Sequence, residues 1–306
     1  MSRSAGELFV LTGPTAVGKT ELSLQWAEQH QAEIVSCDSL LFYRGMDIGT
    51  AKPSPAELAR VPHHLVDVCE VREQMDISRY VQAARDAIEA IWQRGRRVLI
   101  TGGSGFYLKA FFGPVTDTID IPRALREEIE RRLEREGLPS LVEELRALNG
   151  GELGALDTAN PRRVVRALER CRASGRTLRE LREAFSAQRG PFADAEVHCA
   201  RLDRSPEELR ERIVRRVKQM LQAGLVAEVQ RLAGQGLREN PSAARAIGYR
   251  ETLEMLEGRL SAADLPGAIA QNTWALVRKQ RTWFRTQLPP HPVVAAETAR
   301  AENLFN

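Results

Sequence analysis

The chain has 306 residues, 43% of them hydrophobic and 28% charged, with a formal net charge of +3 at pH 7. That balance is globular and excludes a chain that is disordered throughout, and no apolar run reaches the roughly 18 residues a membrane span needs. Cys37, Cys69, Cys171 and Cys199 are widely spaced without a CxxC pair, which argues against a zinc or redox motif and fits a reduced, cytoplasmic setting.

The first residues, 1–7, are polar and run directly into a strand, so no secretory leader is expected. Residues 8–12 form a short apolar run ending in a glycine-rich turn, and residues 19–28 then carry a helical pattern. Strands are expected at 33–37, ending at Asp38, and at 64–68. A helix is expected over 78–92, with Val81, Ala84, Ile88 and Ile91 on one face, Ser78 as its cap and Gly95 as its stop. Residues 97–101 form the next strand, followed by Gly102-Gly103-Ser104-Gly105 and a short helix. This alternation favours a parallel α/β sheet with right-handed crossovers.

The pattern changes near Pro114. Residues 121–189 are rich in Arg, Glu and Leu and read as almost wholly helical; 197–202 reads as a returning strand. Ser205-Pro206 opens a further helix, the proline sitting where a missing N–H costs nothing, and helical periodicity runs to about Leu288, before Pro289-Pro290. The expected fold is therefore a P-loop parallel-sheet core with an inserted helical domain and C-terminal helices: 1–115 as the first part of the core, 116–192 as the insertion, and 193–306 as the remainder.

Gly13-Pro14-Thr15-Ala16-Val17-Gly18-Lys19-Thr20 fills every fixed position of the P-loop pattern, with a strand before it and a helix after it. Its backbone N–H groups and the following helix N-terminus suit phosphate oxygens; Lys19 would neutralise charge and Thr20 would ligate Mg²⁺. The loop by itself indicates polyphosphate and does not specify a nucleotide. ATP-hydrolysing P-loop proteins usually add a strand with an acidic end, whereas Val98-Leu99-Ile100 ends in Thr101-Gly102-Gly103. That favours an unusual diphosphate user, with Asp38 or Asp67 as the carboxylates available. His63-His64 beside Asp67 suggests a metal site on paper, but adjacent strand residues point apart, so both histidines are read as structural.

Charge is unevenly distributed. No acidic residue lies between Asp264 and Glu297, a stretch that holds Arg278, Lys279, Arg281 and Arg285; a second basic group is Arg162, Arg163, Arg166, Arg170 and Arg172. Either is a solvated helix face or a phosphate-binding one. On the C-terminal helix, Trp274, Arg278, Arg281 and Arg285 share a face, and Trp283 and Phe284 are read as core.

The stretch Asp38-Ser39-Leu40-Leu41-Phe42-Tyr43-Arg44-Gly45-Met46-Asp47-Ile48-Gly49-Thr50-Ala51-Lys52-Pro53 resembles the signature of the bacterial tRNA isopentenyl transferase family, the tRNA dimethylallyltransferases. Gly102 to Ala110, Asn160 to Glu169, Arg212-Ile213, Ala246 to Glu251 and Arg278 to Arg285 are similar to further motifs of that family, in order, over residues 8–286. The resemblance implies dimethylallyl diphosphate as donor, Mg²⁺ as cofactor, and as acceptor N6 of the adenosine 3′-adjacent to the anticodon in a tRNA anticodon loop. It implies Asp38 as general base, Lys19, Thr20 and Arg212 at the leaving diphosphate, and residues 13–20 as its cradle. It also implies tRNA contacts at Asp38, Ser39, Leu40, Leu41 and Ser104, at Arg162, Arg163 and Arg166 on the insertion, and at Arg245, Tyr249, Arg250, Arg278, Lys279, Arg281 and Arg285. A cytoplasmic monomer is expected. The chain departs from the common pattern at Leu41, Ser104 and Asn160, where many relatives carry Gln, Thr and Asp. Ser104 and Asn160 keep an oxygen; Leu41 loses a hydrogen-bonding group. The alternatives are a small-molecule or nucleoside kinase using ATP, which the neutral strand end and basic insertion disfavour, and a nucleic-acid-binding NTPase switch, which leaves residues 38–53 unexplained.

Overall fold

A computed structural model describes residues 6–117 and 119–305; most of the N-terminal stretch behind the leader expectation, residues 1–5, lies outside them. The chain forms two compact units, Met1–Gly113 with Gly190–Asn306, and Pro114–Arg189. The divisions fall two and three residues before those expected at 115 and 192.

In the first unit, β1 (Glu7–Thr12) leads through the phosphate-loop sequence into α1 (Lys19–Gln29), followed by β2 (Ala32–Ser36), α2 (Pro55–Arg60) and β3 (His63–His64). Next come α3 (Ile77–Gln93), β4 (Arg97–Gly102) and α4 (Gly105–Leu108). The second unit contributes α5 (Arg123–Leu148), α6 (Pro161–Ser174) and α7 (Leu178–Ser186). The chain then returns with β5 (Glu196–Asp203), α8 (Pro206–Gln222), α9 (Leu225–Ala233), α10 (Pro241–Ala244), α11 (Tyr249–Leu256), α12 (Leu265–Gln287) and β6 (Val293–Ala295). Among the described residues no helix is long and apolar enough to cross a membrane.

The six strands form one sheet in the order β3-β2-β4-β1-β5-β6, with every neighbouring pair parallel. Leu8, Val10, Leu11, Val35, Val98, Leu99 and Ile100 are fully buried, as expected of parallel strands covered on both faces. The carboxyl ends of β1, β2 and β4 sit together, which is where open α/β sheets place ligands.

Three local expectations are corrected. The strand expected at 64–68 shrinks to His63–His64 because Leu65 and Asp67 take positive φ angles of 61° and 55°, turning the Asp67 carboxylate onto Lys52. The third helix is capped by Asp76, which accepts the Arg79 amide at 2.8 Å, so Ser78 lies inside its first turn. β6 was not anticipated: it follows Pro289, Pro290 and Pro292 and pairs with Arg201 to Asp203 at the sheet edge, where proline is tolerated.

The second unit is a helical body around Ile129, Leu141, Leu145, Leu153, Val164, Leu168, Cys171 and Leu181. Its first helix breaks at Gly137, φ 80°, just before Pro139. Asn160 caps α6 by accepting the Arg163 amide, with Pro161 at the first helical position, and a Thr177–Glu180 capping box opens α7. The Asn149 side chain joins elements by donating to the Leu145 carbonyl and accepting the Leu178 amide at 2.6 Å.

Candidate active site

The phosphate-loop sequence folds between β1 and α1. Ala16 holds a positive φ of 65°, unusual for a residue with a side chain, and two arginines brace the turn. Arg212 of α8 donates to the Ala16 carbonyl at 2.7 Å and Arg204 to the Val17 carbonyl at 2.8 Å. Gly18 then starts the helix. The Lys19 ammonium folds back onto the Gly13 and Pro14 carbonyls, at 2.9 and 3.0 Å. Burial pushes its pKa down from 10.5 to about 8, with the Arg216 charge acting in the same direction and Asp38 opposing it. Thr20 is exposed at the helix start.

Asp38 leaves the end of β2. One of its carboxylate oxygens accepts the Leu40 amide at 3.0 Å, fixing the turn that begins the 38–53 segment. The next strand end locks against it: the Ser104 hydroxyl accepts the Ser39 amide at 2.9 Å. Gly102 is required here, because a Cβ would lie 2.1 Å from the Cys37 carbonyl oxygen. The serine hydroxyls at 39 and 104 are also hydrogen-bonded, at 3.1 Å.

Two adjoining cavities open at this end of the sheet. One, of about 700 Å³, is lined by Lys19, Thr20, Arg204, Arg212, Arg215 and Leu41 among others. The other, of about 640 Å³, has an apolar wall that includes Ile213, Val217, Met220, Ile247 and Leu276. They share Thr15, Asp38, Thr50, Gly103, Arg216 and Gln280. A cationic phosphate chamber and an apolar chamber therefore meet at a waist that carries a carboxylate.

The expected residues distribute unevenly over this geometry. Asp38, Ser39, Leu40, Ser104, Arg245 and Lys279 line the apolar chamber, while Leu41 lines the phosphate chamber. Tyr249 is corrected from an RNA contact to a core residue: it is fully buried and its hydroxyl donates to Glu228 at 2.6 Å. Arg281 is committed to the protein, forking onto Asp203 at 2.9 and 2.6 Å and donating to the Arg204 carbonyl. Arg250 pairs with Glu251. Arg278 and Arg285 are exposed on α12, and Trp274 lies beneath the Arg210 guanidinium at 4.5 Å. Phe284 is fully buried and Trp283 partly so, and both line the apolar chamber. Arg162, Arg163 and Arg166 lie on the exposed side of α6 in the second unit, where Arg163 approaches Asp157 at 3.5 Å and Arg166 pairs with Glu169 at 3.1 Å.

His63 and His64 behave structurally, meeting the Val61 carbonyl and the Glu33 carboxylate. Among the described residues no cluster of three or more His, Cys, Asp or Glu is arranged to hold a metal.

Three residues were missed. Arg216 donates to the Thr50 carbonyl at 3.1 Å and approaches the Thr15 hydroxyl at 3.5 Å; burial lowers its pKa while Asp38 raises it. Its position four residues after Arg212, on the same helical face, was the available signal. Gln280 accepts the Thr15 amide and donates to the Gly103 carbonyl, both at 2.9 Å. Glu228 binds the 47–49 turn from below. Gln280 lies within the Arg278 to Arg285 motif, which was its available signal; Glu228 has none.

A parallel six-stranded sheet with a P-loop sequence between its first strand and first helix, and two chambers meeting at its carboxyl end, is an α/β fold of the P-loop kind. The family model described as IPP transferase matches residues 41–287. The tRNA dimethylallyltransferase of Opitutus terrae is 64% identical over 300 residues, 98% of this chain and 96% of that protein; the one from Deinococcus radiodurans is 41% identical, covering 91% and 90%. Among solved structures, the tRNA isopentenylpyrophosphate transferase of Bacillus halodurans superposes with a TM-score of 0.70 at 30% identity, over 97% of this chain and 93% of that one. The chain belongs to the IPP transferase family.

Proposed function

We propose that the protein transfers the dimethylallyl group of dimethylallyl diphosphate to N6 of the adenosine 3′-adjacent to the anticodon of a tRNA, releasing pyrophosphate. The observation that carries this reading is the waist: one carboxylate, Asp38, lines both the cationic and the apolar chamber. The diphosphate sits on the loop side against Lys19, Arg212 and Arg216. The allyl carbon reaches the waist, and the adenine enters from the apolar side past Ser39, Leu40 and Ser104. In the reaction the N6–carbon bond forms as the carbon–oxygen bond breaks. The oxygen's electron pair leaves with pyrophosphate, where the cations meet its charge, and the amine proton passes to the Asp38 carboxylate. The apolar wall keeps water from an allylic centre that it would otherwise hydrolyse.

Mg²⁺ suits this donor set, because it takes few protein ligands beside water and substrate phosphates. The exposed Thr20 hydroxyl would hold it, and when bound it would supply further charge neutralisation at the diphosphate. The target base must leave the anticodon-loop stack at a cost of a few kcal/mol, offset by contacts to the RNA backbone; the exposed arginines of α6 and α12 suit those contacts.

The test is incubation with dimethylallyl diphosphate, Mg²⁺ and unmodified tRNA, followed by mass analysis of the nucleosides. Dimethylallyl-adenosine at the position after the anticodon is expected. Turnover of ATP stimulated by tRNA, with no prenylated nucleoside, would instead support the kinase or switch readings.

A further inference from the structure

Glu228 of α9 is 5% exposed, and four neutral donors converge on its carboxylate. Oε2 accepts the amides of Asp47 at 3.1 Å and Ile48 at 2.8 Å. Oε1 accepts the Gly49 amide at 3.2 Å and the Tyr249 hydroxyl at 2.6 Å. Burying a carboxylate is costly unless its oxygens are satisfied, and only an ionised carboxylate offers two acceptors with no donor of its own. The packing admits little slack: a Cβ on Gly49 would stand 2.4 Å from the Tyr249 ring.

The turn held in this way continues directly into the cleft. Thr50 closes it by donating its hydroxyl to the Met46 carbonyl at 2.7 Å. The next group, the Thr50 carbonyl, accepts Arg216 Nη2 at 3.1 Å. Arg216 lies at the waist with Asp38 and reaches toward Thr15 of the phosphate loop. An arginine side chain has four rotatable bonds, and the Thr50 carbonyl, with the Thr15 hydroxyl at longer range, holds one arrangement of Arg216 at the waist.

We propose that Glu228, with Tyr249, is a positioning residue for the transfer reaction, acting by fixing the 47–50 turn so that Thr50 holds Arg216 at the waist between the two chambers. The proposal rests on the reading of the cleft as a diphosphate-using transferase site. Glu228 touches neither substrate. Its carboxylate sets where the leaving-group cation stands.

The experiment uses the full chain and four variants: Glu228→Gln, Tyr249→Phe, Arg216→Ala and the Glu228→Gln/Arg216→Ala pair. Melting temperatures establish that each is folded. Single-turnover transfer is measured at saturating donor and tRNA, and pyrophosphate binding is measured by calorimetry. Glu228→Gln turns an amide NH₂ toward groups that must donate, so the single-turnover rate should fall 10- to 100-fold and pyrophosphate affinity several-fold, with tRNA affinity unchanged. Tyr249→Phe should show a smaller loss of the same kind. Because Glu228 acts through Arg216, the double variant should be no slower than Arg216→Ala alone. Multiplying losses in the double variant, or a lowered melting temperature with an unchanged rate per folded molecule, would overturn the proposal and leave Glu228 a purely structural residue. If the wild-type protein transfers nothing, the transferase reading fails, and the pyrophosphate measurements decide this proposal alone: weaker binding in Glu228→Gln that is absent in the Arg216→Ala background sustains it, and unchanged binding ends it.

Discussion

Gln280 of α12 accepts the Thr15 amide at 2.9 Å, so a residue 265 positions further along the chain closes the phosphate loop. The same amide group donates to the Gly103 carbonyl, fixing the separation between the loop after β1 and the loop after β4. We predict that Gln280→Ala, which removes both bonds at about 0.5–1.5 kcal/mol each, will raise the KM for dimethylallyl diphosphate by roughly tenfold with a smaller change in the KM for tRNA. Steady-state kinetics with each substrate varied in turn checks this; equal effects on both would show that the side chain only supports the fold.

Lys19 gives the cleft a pH signature. Burial lowers its pKa to about 8, and a bound diphosphate favours the charged ammonium, raising the pKa in the complex. Protons are therefore taken up on binding above pH 8. We predict that donor affinity is flat below that value and that log Kd rises with a slope approaching one above it, until the pKa of the complex is reached. Calorimetric titration with dimethylallyl diphosphate between pH 7.5 and 9.5, where a diphosphate monoester has no further proton to lose, checks it, and Lys19→Arg should remove the bend. For stability the sign is also fixed: a lysine with a depressed folded-state pKa binds fewer protons folded than unfolded. The unliganded protein therefore gains stability as pH rises between about 8 and 10.5.

For Asp38, we predict that Asp38→Asn lowers kcat by on the order of 10² to 10⁴, the usual range for a positioned base, while tRNA affinity changes little because phosphate contacts dominate it. Single-turnover rates across pH and Mg²⁺ concentration provide the check. A loss recovered by raising Mg²⁺ would instead mark Asp38 as an organiser of the metal's water.

The basic face of α12 divides into two kinds of arginine. Arg281 is held by Asp203 and the Arg204 carbonyl, whereas Arg278 and Arg285 are exposed. We predict that Arg281→Ala destabilises the fold by about 2 kcal/mol, the scale of charge-assisted hydrogen bonds, and lowers Tm by roughly 4–8 °C without altering the salt dependence of tRNA binding. Arg278→Ala should do the reverse, losing up to about one phosphate contact from the salt slope. Thermal melts and binding isotherms at several salt concentrations separate the two.

What was legible in the sequence is what depends on neighbours along the chain. The strand, loop and helix from Glu7 to Gln29 follow from an apolar run, glycines at fixed offsets and Lys19-Thr20. The start of α6 follows from Asn160-Pro161, and that of α8 from Ser205-Pro206. The errors arise where distant partners decide. Asp67 breaks an apolar run because Lys52 holds its carboxylate. Tyr249 belongs to a recognisable motif, yet its hydroxyl is taken by Glu228 from another helix. Arg281 sits on a basic helical stripe and looks solvated until β5 brings Asp203 to it. The waist itself was invisible for the same reason: Thr15, Asp38, Gly103, Arg216 and Gln280 come from five separate stretches, and only the parallel sheet order brings them to one end.

The sheet order also governs the sequence of events during synthesis. β5 pairs with β1 along its whole length, from Glu7 to Thr12, yet the two are separated in the chain by all of Pro114–Arg189. A chain emerging from the ribosome N-terminus first therefore presents β1 with one edge unpaired until residue 203 is free, while the helical unit between them is contiguous and has its own apolar centre. Domains tend to fold as units once they are fully exposed. The inserted unit should thus mature before the domain into which it is inserted, and the nascent sheet edge stays open for the time needed to make the roughly 100 residues between the ends of β4 and β5, some 5–20 seconds at ordinary elongation rates.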